Sequence, residues 1–130
     1  MGQDRYDKGL ALRKQVLGAE YVEKSLASAD DFSRPMQELS TEYCWGYVWG
    51  RPGLALRDRS LINIAMISAL NRPHELKLHV KAALGNGLSR EEIREVLMQV
   101  AVYCGVPAGI DSVRIAREAF AEVDAAKQGA

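Results

Sequence analysis

Apolar residues recur along this chain at spacings of three and four, and nowhere do they alternate with period two over a useful length. The pattern predicts a first helix over 4–17, capped by Asp4, ended by Gly18, with Leu10, Leu12, Val16 and Leu17 as its apolar positions. A short second helix over 20–27 precedes a polar break. Ser33 is a candidate N-cap and Pro35 fits the first turn of a third helix, which runs to about Trp49. From Tyr43 onward that helix is apolar nearly all round, which predicts burial on several sides.

Arg51-Pro52-Gly53 reads as a turn, and Asp58 as the cap of a helix over 59–70. Leu61, Ile62, Ile64, Met66, Ile67 and Leu70 leave that helix almost no polar face, so it is expected to be the central core helix. Pro73 opens the next helix, which extends to about Leu84 and is stopped by Gly85-Asn86-Gly87. Ser89 and Glu92 form a capping-box pattern at the head of a helix through Tyr103. Gly105-Val106-Pro107 breaks the chain before a last helix over about 108–123. The expected fold is all-α, a single-domain bundle of six or seven helices without linker or repeat.

Composition narrows the function classes. A chain of 130 residues that is 48% hydrophobic buries a core without disulfides or metal. Its zero net charge, with acids and bases interspersed, supplies no field for a nucleic-acid backbone or an anionic membrane. The polar, acid-containing N-terminus does not read as a secretory leader. The longest apolar run, Leu61 to Leu70, is interrupted by Asn63 and Ser68 and is too short to span a bilayer. Cys44 and Cys104 form no Cys-x-x-Cys pair and are expected as buried free thiols in a reducing, cytoplasmic setting.

The candidate chemistry gathers between Glu42 and His79. On the helix after Pro73, the residues Arg72, Glu75, Leu76, His79 and Ala83 share one stripe that Leu76 and Ala83 turn inward. An imidazole there is either a general acid or base, or a core histidine bonded to Glu75. His74 falls off the stripe and reads as surface. Glu42 stands where its helix turns apolar, as a proton carrier in a dry pocket or as a rim charge paired with arginine. Trp45 and Trp49 are either core or a substrate platform. Arg51, Arg57, Arg59 and Arg72 bracket the apolar helix, as a carboxylate clamp or as ordinary surface ion pairs. Two His and two Cys at these spacings make no metal site, and no glycine-rich phosphate loop follows a strand. The expected chemistry is free of cofactors.

Glu42-Tyr-Cys-Trp-Gly-Tyr-Val-Trp-Gly-Arg-Pro-Gly-Leu54 resembles the corresponding segment of γ-carboxymuconolactone decarboxylases. So do 59–66, 78–87, 91–97 and Tyr103-Cys-Gly-Val-Pro107. The resemblance covers a core of about 37–123, with 1–34 as an N-terminal helical extension. The helix bearing His79 is also similar to that of AhpD-like alkylhydroperoxidases. The two cysteine positions of those proteins fall on Arg72 and Glu75 here, so their redox pair is absent.

The resemblance implies a hexameric ring of helical subunits acting on γ-carboxymuconolactone in protocatechuate catabolism. It implies loss of carbon dioxide from a dicarboxylate lactone to give an enol-lactone, with no metal or organic cofactor. On this basis His79 is the proton donor or oxyanion partner, and Glu42 orients it or relays its proton. Arg51 and then Arg72 anchor carboxylates, and Tyr43, Trp45 and Tyr103 wall the pocket. Decarboxylation or isomerisation of another small acid, and a non-catalytic ligand-binding oligomer, are the alternatives.

Overall fold

The computed structural model describes residues 2–129, most of which are helical, with no strand among them. Seven α-helices follow in order: α1 (Gly2–Leu17), α2 (Ala19–Ala27), α3 (Arg34–Leu39), α4 (Leu56–Ala69), α5 (Pro73–Gly85), α6 (Arg90–Cys104) and α7 (Val106–Gly129). Between α3 and α4 the chain continues directly into a π-helical segment, Ser40–Trp49. The helices make two compact units, one through Ala55 and one from Leu56 onward.

The first unit is organised by α1 lying on the π-helical segment. Two glycines permit the approach. A Cβ on Gly9 would stand 2.0 Å from the Thr41 carbonyl oxygen, and one on Gly46 2.3 Å from that of Arg5. Backbone therefore meets backbone where neither residue has a side chain. The buried stripe of α1 is Gly9, Arg13 and Val16; Leu10, Leu12 and Leu17, expected there, are only half-buried. Arg13 donates from Nη1 to Thr41 Oγ1 at 3.0 Å, and burial pushes its guanidinium below the ordinary value.

Three local expectations change in this unit. Asp4 does not cap α1, which begins at Gly2 and holds Asp4 in its first turn. Ser33 stands at the N-cap position of α3, but its hydroxyl accepts from the Asp30 N–H at 3.0 Å and so closes the preceding loop. The stretch from Tyr43 is not buried all round. Thr41, Trp45, Gly46 and Trp49 face inward, while Tyr43, Tyr47 and Val48 are exposed. The π-helical winding gathers the inward residues on the one face that α1 covers, and the remaining apolar residues point away from it.

The second unit has its core in Ile64, Leu76, Val80, Ile93, Leu97 and Ile115. Helix α5 packs on α4 and α7, and α6 packs on the same two helices. The capping box forms: Ser89 Oγ accepts from the Glu92 N–H, and Glu92 Oε1 accepts from the Ser89 N–H, both at 3.0 Å. Such a cap contributes about 1 kcal/mol to its helix. Gly87, at φ 98°, turns the chain out of α5, and Gly105, at φ 117°, separates α6 from α7.

Helix α4 is not the all-buried helix its composition suggests. Ile62, Met66 and Leu70 are exposed, and the inward stripe is Ser60, Ile64 and Ser68. Small serines let neighbouring helices close in, and Ser60 Oγ accepts from Asn86 Nδ2 at 2.9 Å. Asp58 lies within the first turn of α4, since the helix begins at Leu56. Both cysteines are exposed rather than buried; Cys44 stands on the outward side of the π-helical segment and Cys104 is the last residue of α6. Among the described residues, no helix is long and apolar enough to cross a membrane.

Candidate active site

Helix α5 builds the most chemically distinctive feature of the second unit. Pro73 sits in its first turn, and Leu76, Val80 and Ala83 draw one face into the core. His79 turns in with them and is only 9% exposed. Its Nδ1 lies 3.3 Å from Nδ2 of Asn63 on α4. Burial pushes the imidazole below its ordinary pKa, opposed by the carboxylate of Glu75. Burial therefore favours the uncharged ring.

The inward stripe expected on this helix divides. Leu76, His79 and Ala83 face the core, whereas Arg72 and Glu75 are exposed. Arg72 is the residue before the helix, with φ −113° and ψ 81°, so its side chain does not follow the helical phase. Its Nη1 donates to the Leu70 carbonyl at 3.2 Å, and it lines a cleft of about 80 Å³ with Ser68, Asn71 and Ser112, whose walls do not include His79. Glu75 acts on the ring through its field, and Asn63 makes a short side-chain contact with it. Tyr103 is 80% exposed on α6. Arg57 is engaged by Glu92, which removes it from any anion clamp.

The first unit carries a separate cationic feature. Arg5, Lys8 and Arg51, with Asp4 and Tyr47, line a cleft of about 370 Å³. Three cations face one acid there, a surplus suited to an anion. The Arg51 guanidinium lies 5.3 Å from the centre of the Tyr47 ring, and that of Arg5 lies 5.3 Å from both Tyr43 and Tyr47. Such contacts hold a guanidinium flat against the ring. Glu42 is half-buried, its Oε1 3.9 Å from Arg5 Nη1. Trp45 and Trp49 are buried and stacked, with centroids 4.6 Å apart and planes at 24°, so within this unit they are core.

Three residues now stand out that the sequence reading did not select. Asn63 was visible only as a polar interruption of an apolar run. Arg5 and Lys8, three apart on α1, resemble any solvated basic pair until the glycine-mediated contact brings α1 against the segment before Arg51. Among the described residues, no cluster of three or more His, Cys, Asp and Glu side chains is placed to hold a metal ion.

The buried imidazole of the second unit is a group suited to acid–base work, and the cationic cleft of the first is suited to a small anion. Comparison with known proteins makes this specific. The model of the Carboxymuconolactone decarboxylase family matches residues 34–118. The nitrosuccinic acid decarboxylase npaB of Metarhizium robertsii is 45% identical over 113 residues, covering 87% of this chain and 79% of that protein. The 4-carboxymuconolactone decarboxylase of Acinetobacter baylyi is 36% identical over 126 residues, covering 97% and 94%. An uncharacterized 15.0 kDa protein of Paracoccus denitrificans is 34% identical over 86 residues, 64% of this chain and 63% of that one. The chain belongs to the carboxymuconolactone decarboxylase family, and its enzyme class is the carboxy-lyases.

Proposed function

We propose that this protein decarboxylates a substituted succinate whose reacting carbon carries an oxygen-bearing electron sink. The two acids named for its relatives share that skeleton. In γ-carboxymuconolactone, one carbon bears the departing carboxylate and an acetate arm, and its ring double bond leads to the lactone carbonyl. In nitrosuccinate, the nitro group stands on a carbon α to one carboxylate, and the other carboxylate is again the end of an acetate arm. When the C–CO₂ bond breaks, its electron pair moves onto lactone oxygen in the first case and nitro oxygen in the second. The dienolate or nitronate then takes up a proton.

The observation that carries this reading is the buried His79, a hydrogen-bonding group kept away from bulk water. Such a group stabilises an oxygen on which charge develops. Arg51, in a cleft with Arg5 and Lys8, supports recognition of a second carboxylate, and Arg72 is the next candidate anchor. Glu42, beside Arg5, is assigned the proton-carrying role. The higher identity to the nitrosuccinate enzyme favours an open-chain acid. The fuller coverage of the 4-carboxymuconolactone enzyme favours the lactone of protocatechuate catabolism.

A homo-oligomer, the hexamer implied by resemblance, is part of the same proposal. Tyr43, Tyr47 and Val48 in one unit, and Val102, Tyr103 and Ile110 in the other, leave large apolar side chains exposed. Neighbouring copies would cover these faces and make pocket walls of Tyr43 and Tyr103.

The test is carbon dioxide release from a panel comprising γ-carboxymuconolactone, 2-nitrosuccinate, methylsuccinate and succinate. Turnover is expected for one or both of the first two and for neither of the others, unchanged by chelator. A folded protein that releases carbon dioxide from neither sink-bearing acid contradicts the proposal.

A further inference from the structure

We propose that Asn63 is a positioning residue that fixes His79 as its Nε2–H tautomer. The argument begins with what an amide nitrogen can do. Asn63 Nδ2 carries two hydrogens and no lone pair to offer, so at 3.3 Å from His79 Nδ1 it donates and Nδ1 accepts. A neutral imidazole has one N–H. With Nδ1 accepting, the proton sits on Nε2.

Burial favours the neutral ring, which makes the choice of tautomer consequential. Glu75 on α5 itself is exposed and acts on the ring through its field. The α7 carboxylates that meet α5, Glu118 and Glu122, are engaged by Lys77, and Glu122 by Lys81 as well. From α4, Asn63 Nδ2 comes within 3.3 Å of Nδ1 of the ring. Asn63 itself is half-buried on a helix whose neighbours Ile64 and Ser68 are fixed in the core, so its amide is presented from a rigid frame.

The assignment rests on the reading of His79 as a participant in decarboxylation and sharpens it. A neutral ring with its proton on Nε2 is a hydrogen-bond donor to a developing oxyanion. It is not the source of the proton returned to carbon, because losing that proton would leave an imidazolate. Reprotonation therefore belongs to another acid.

The experiment is nitrogen-15 NMR of protein labelled at histidine, in a His74→Gln background so that His79 is the one imidazole observed. Wild type, Asn63→Ala and Asn63→Asp are recorded at a pH where the ring is neutral, and kcat and KM are measured on the same samples. The wild-type ring is expected to carry its proton on Nε2. Asn63→Asp, whose carboxylate can only accept, is expected to move it to Nδ1 and lower kcat by about 10²-fold or more with KM little changed. Asn63→Ala, which removes the donor without supplying an acceptor, is expected to give mixed tautomers and a kcat loss of about fivefold. A wild-type ring protonated on Nδ1, or a tautomer that ignores Asn63→Asp, overturns the proposal. A tautomer that follows Asn63 while kcat does not change upholds the positioning role and refutes the catalytic reading of His79 instead.

Discussion

Replacing Gly46 with alanine adds one methyl group where α1 and the π-helical segment touch, and the structure gives its consequence a size. The new Cβ would stand 2.3 Å from the Arg5 carbonyl oxygen and 2.9 Å from Arg5 Cγ. Ordinary contact begins near 3.4 Å, so the backbone of α1 would have to withdraw by about 1 Å. No flexible side chain can absorb the shift, because the nearest obstacle is backbone. Overpacking of this kind costs about 3 kcal/mol at the upper end of its usual range. Alanine recovers about 1 kcal/mol of helix propensity over glycine. The net expectation is a loss of about 2 kcal/mol from the first unit. Trp45 and Trp49, the two tryptophans of the chain, both lie in the affected segment, so their fluorescence in urea reads that unit directly. The midpoint should fall by about 1 M. Gly85→Ala is the matched control. Nothing lies within 4 Å of its Cβ, and it should be neutral or stabilising by up to about 1 kcal/mol on circular dichroism melts. A Gly46→Ala midpoint within about 0.2 M of wild type would refute the close approach.

Other consequences follow from single groups. His79 has a folded-state pKa lowered by burial, so below its ordinary 6.5 the unfolded chain takes up the proton first. Stability should therefore decline as pH falls from about 6.5 towards the depressed folded value. His79→Gln should remove up to about 1.4 kcal/mol per pH unit of that slope, as read from urea midpoints between pH 7 and 5. An unchanged slope would show that the ring is not desolvated. Arg51→Ala should lower kcat/KM about 10- to 100-fold, chiefly through KM, as expected for loss of a charge-assisted carboxylate contact. Steady-state kinetics on the active member of the acid panel checks this, and an unaltered KM would place the carboxylate elsewhere.

Much of the fold was legible because local signals marked the ends of helices. Gly18, Pro35, Pro73 and Gly87 stand where backbone geometry demands them, and the Ser89–Glu92 box forms as its spacing indicates. The burial of His79 followed from Leu76 and Ala83 on its own helix. Hydrophobicity was a poorer guide where faces are left uncovered. The leucines of α1 are half-buried while Arg13 is inside, and α4 buries serines while Ile62, Met66 and Leu70 face out. In the first unit the placement depends on how closely two backbones approach, which Gly9 and Gly46 decide across 37 positions of sequence. The π-helical winding of 40–49 has no composition of its own and could not be read. The same limit hid Asn63, since its partner lies sixteen residues away on another helix.

The central claim is that carbon dioxide leaves through an electron sink whose new oxyanion is stabilised by His79. The most direct measurement is single-turnover carbon dioxide release from the active acid by wild type and His79→Ala, with circular dichroism confirming that both are folded. The account predicts a loss of about 10²- to 10³-fold in the rate of the chemical step, the cost of removing one oxyanion donor. A folded His79→Ala that turns over within about threefold of wild type would contradict it.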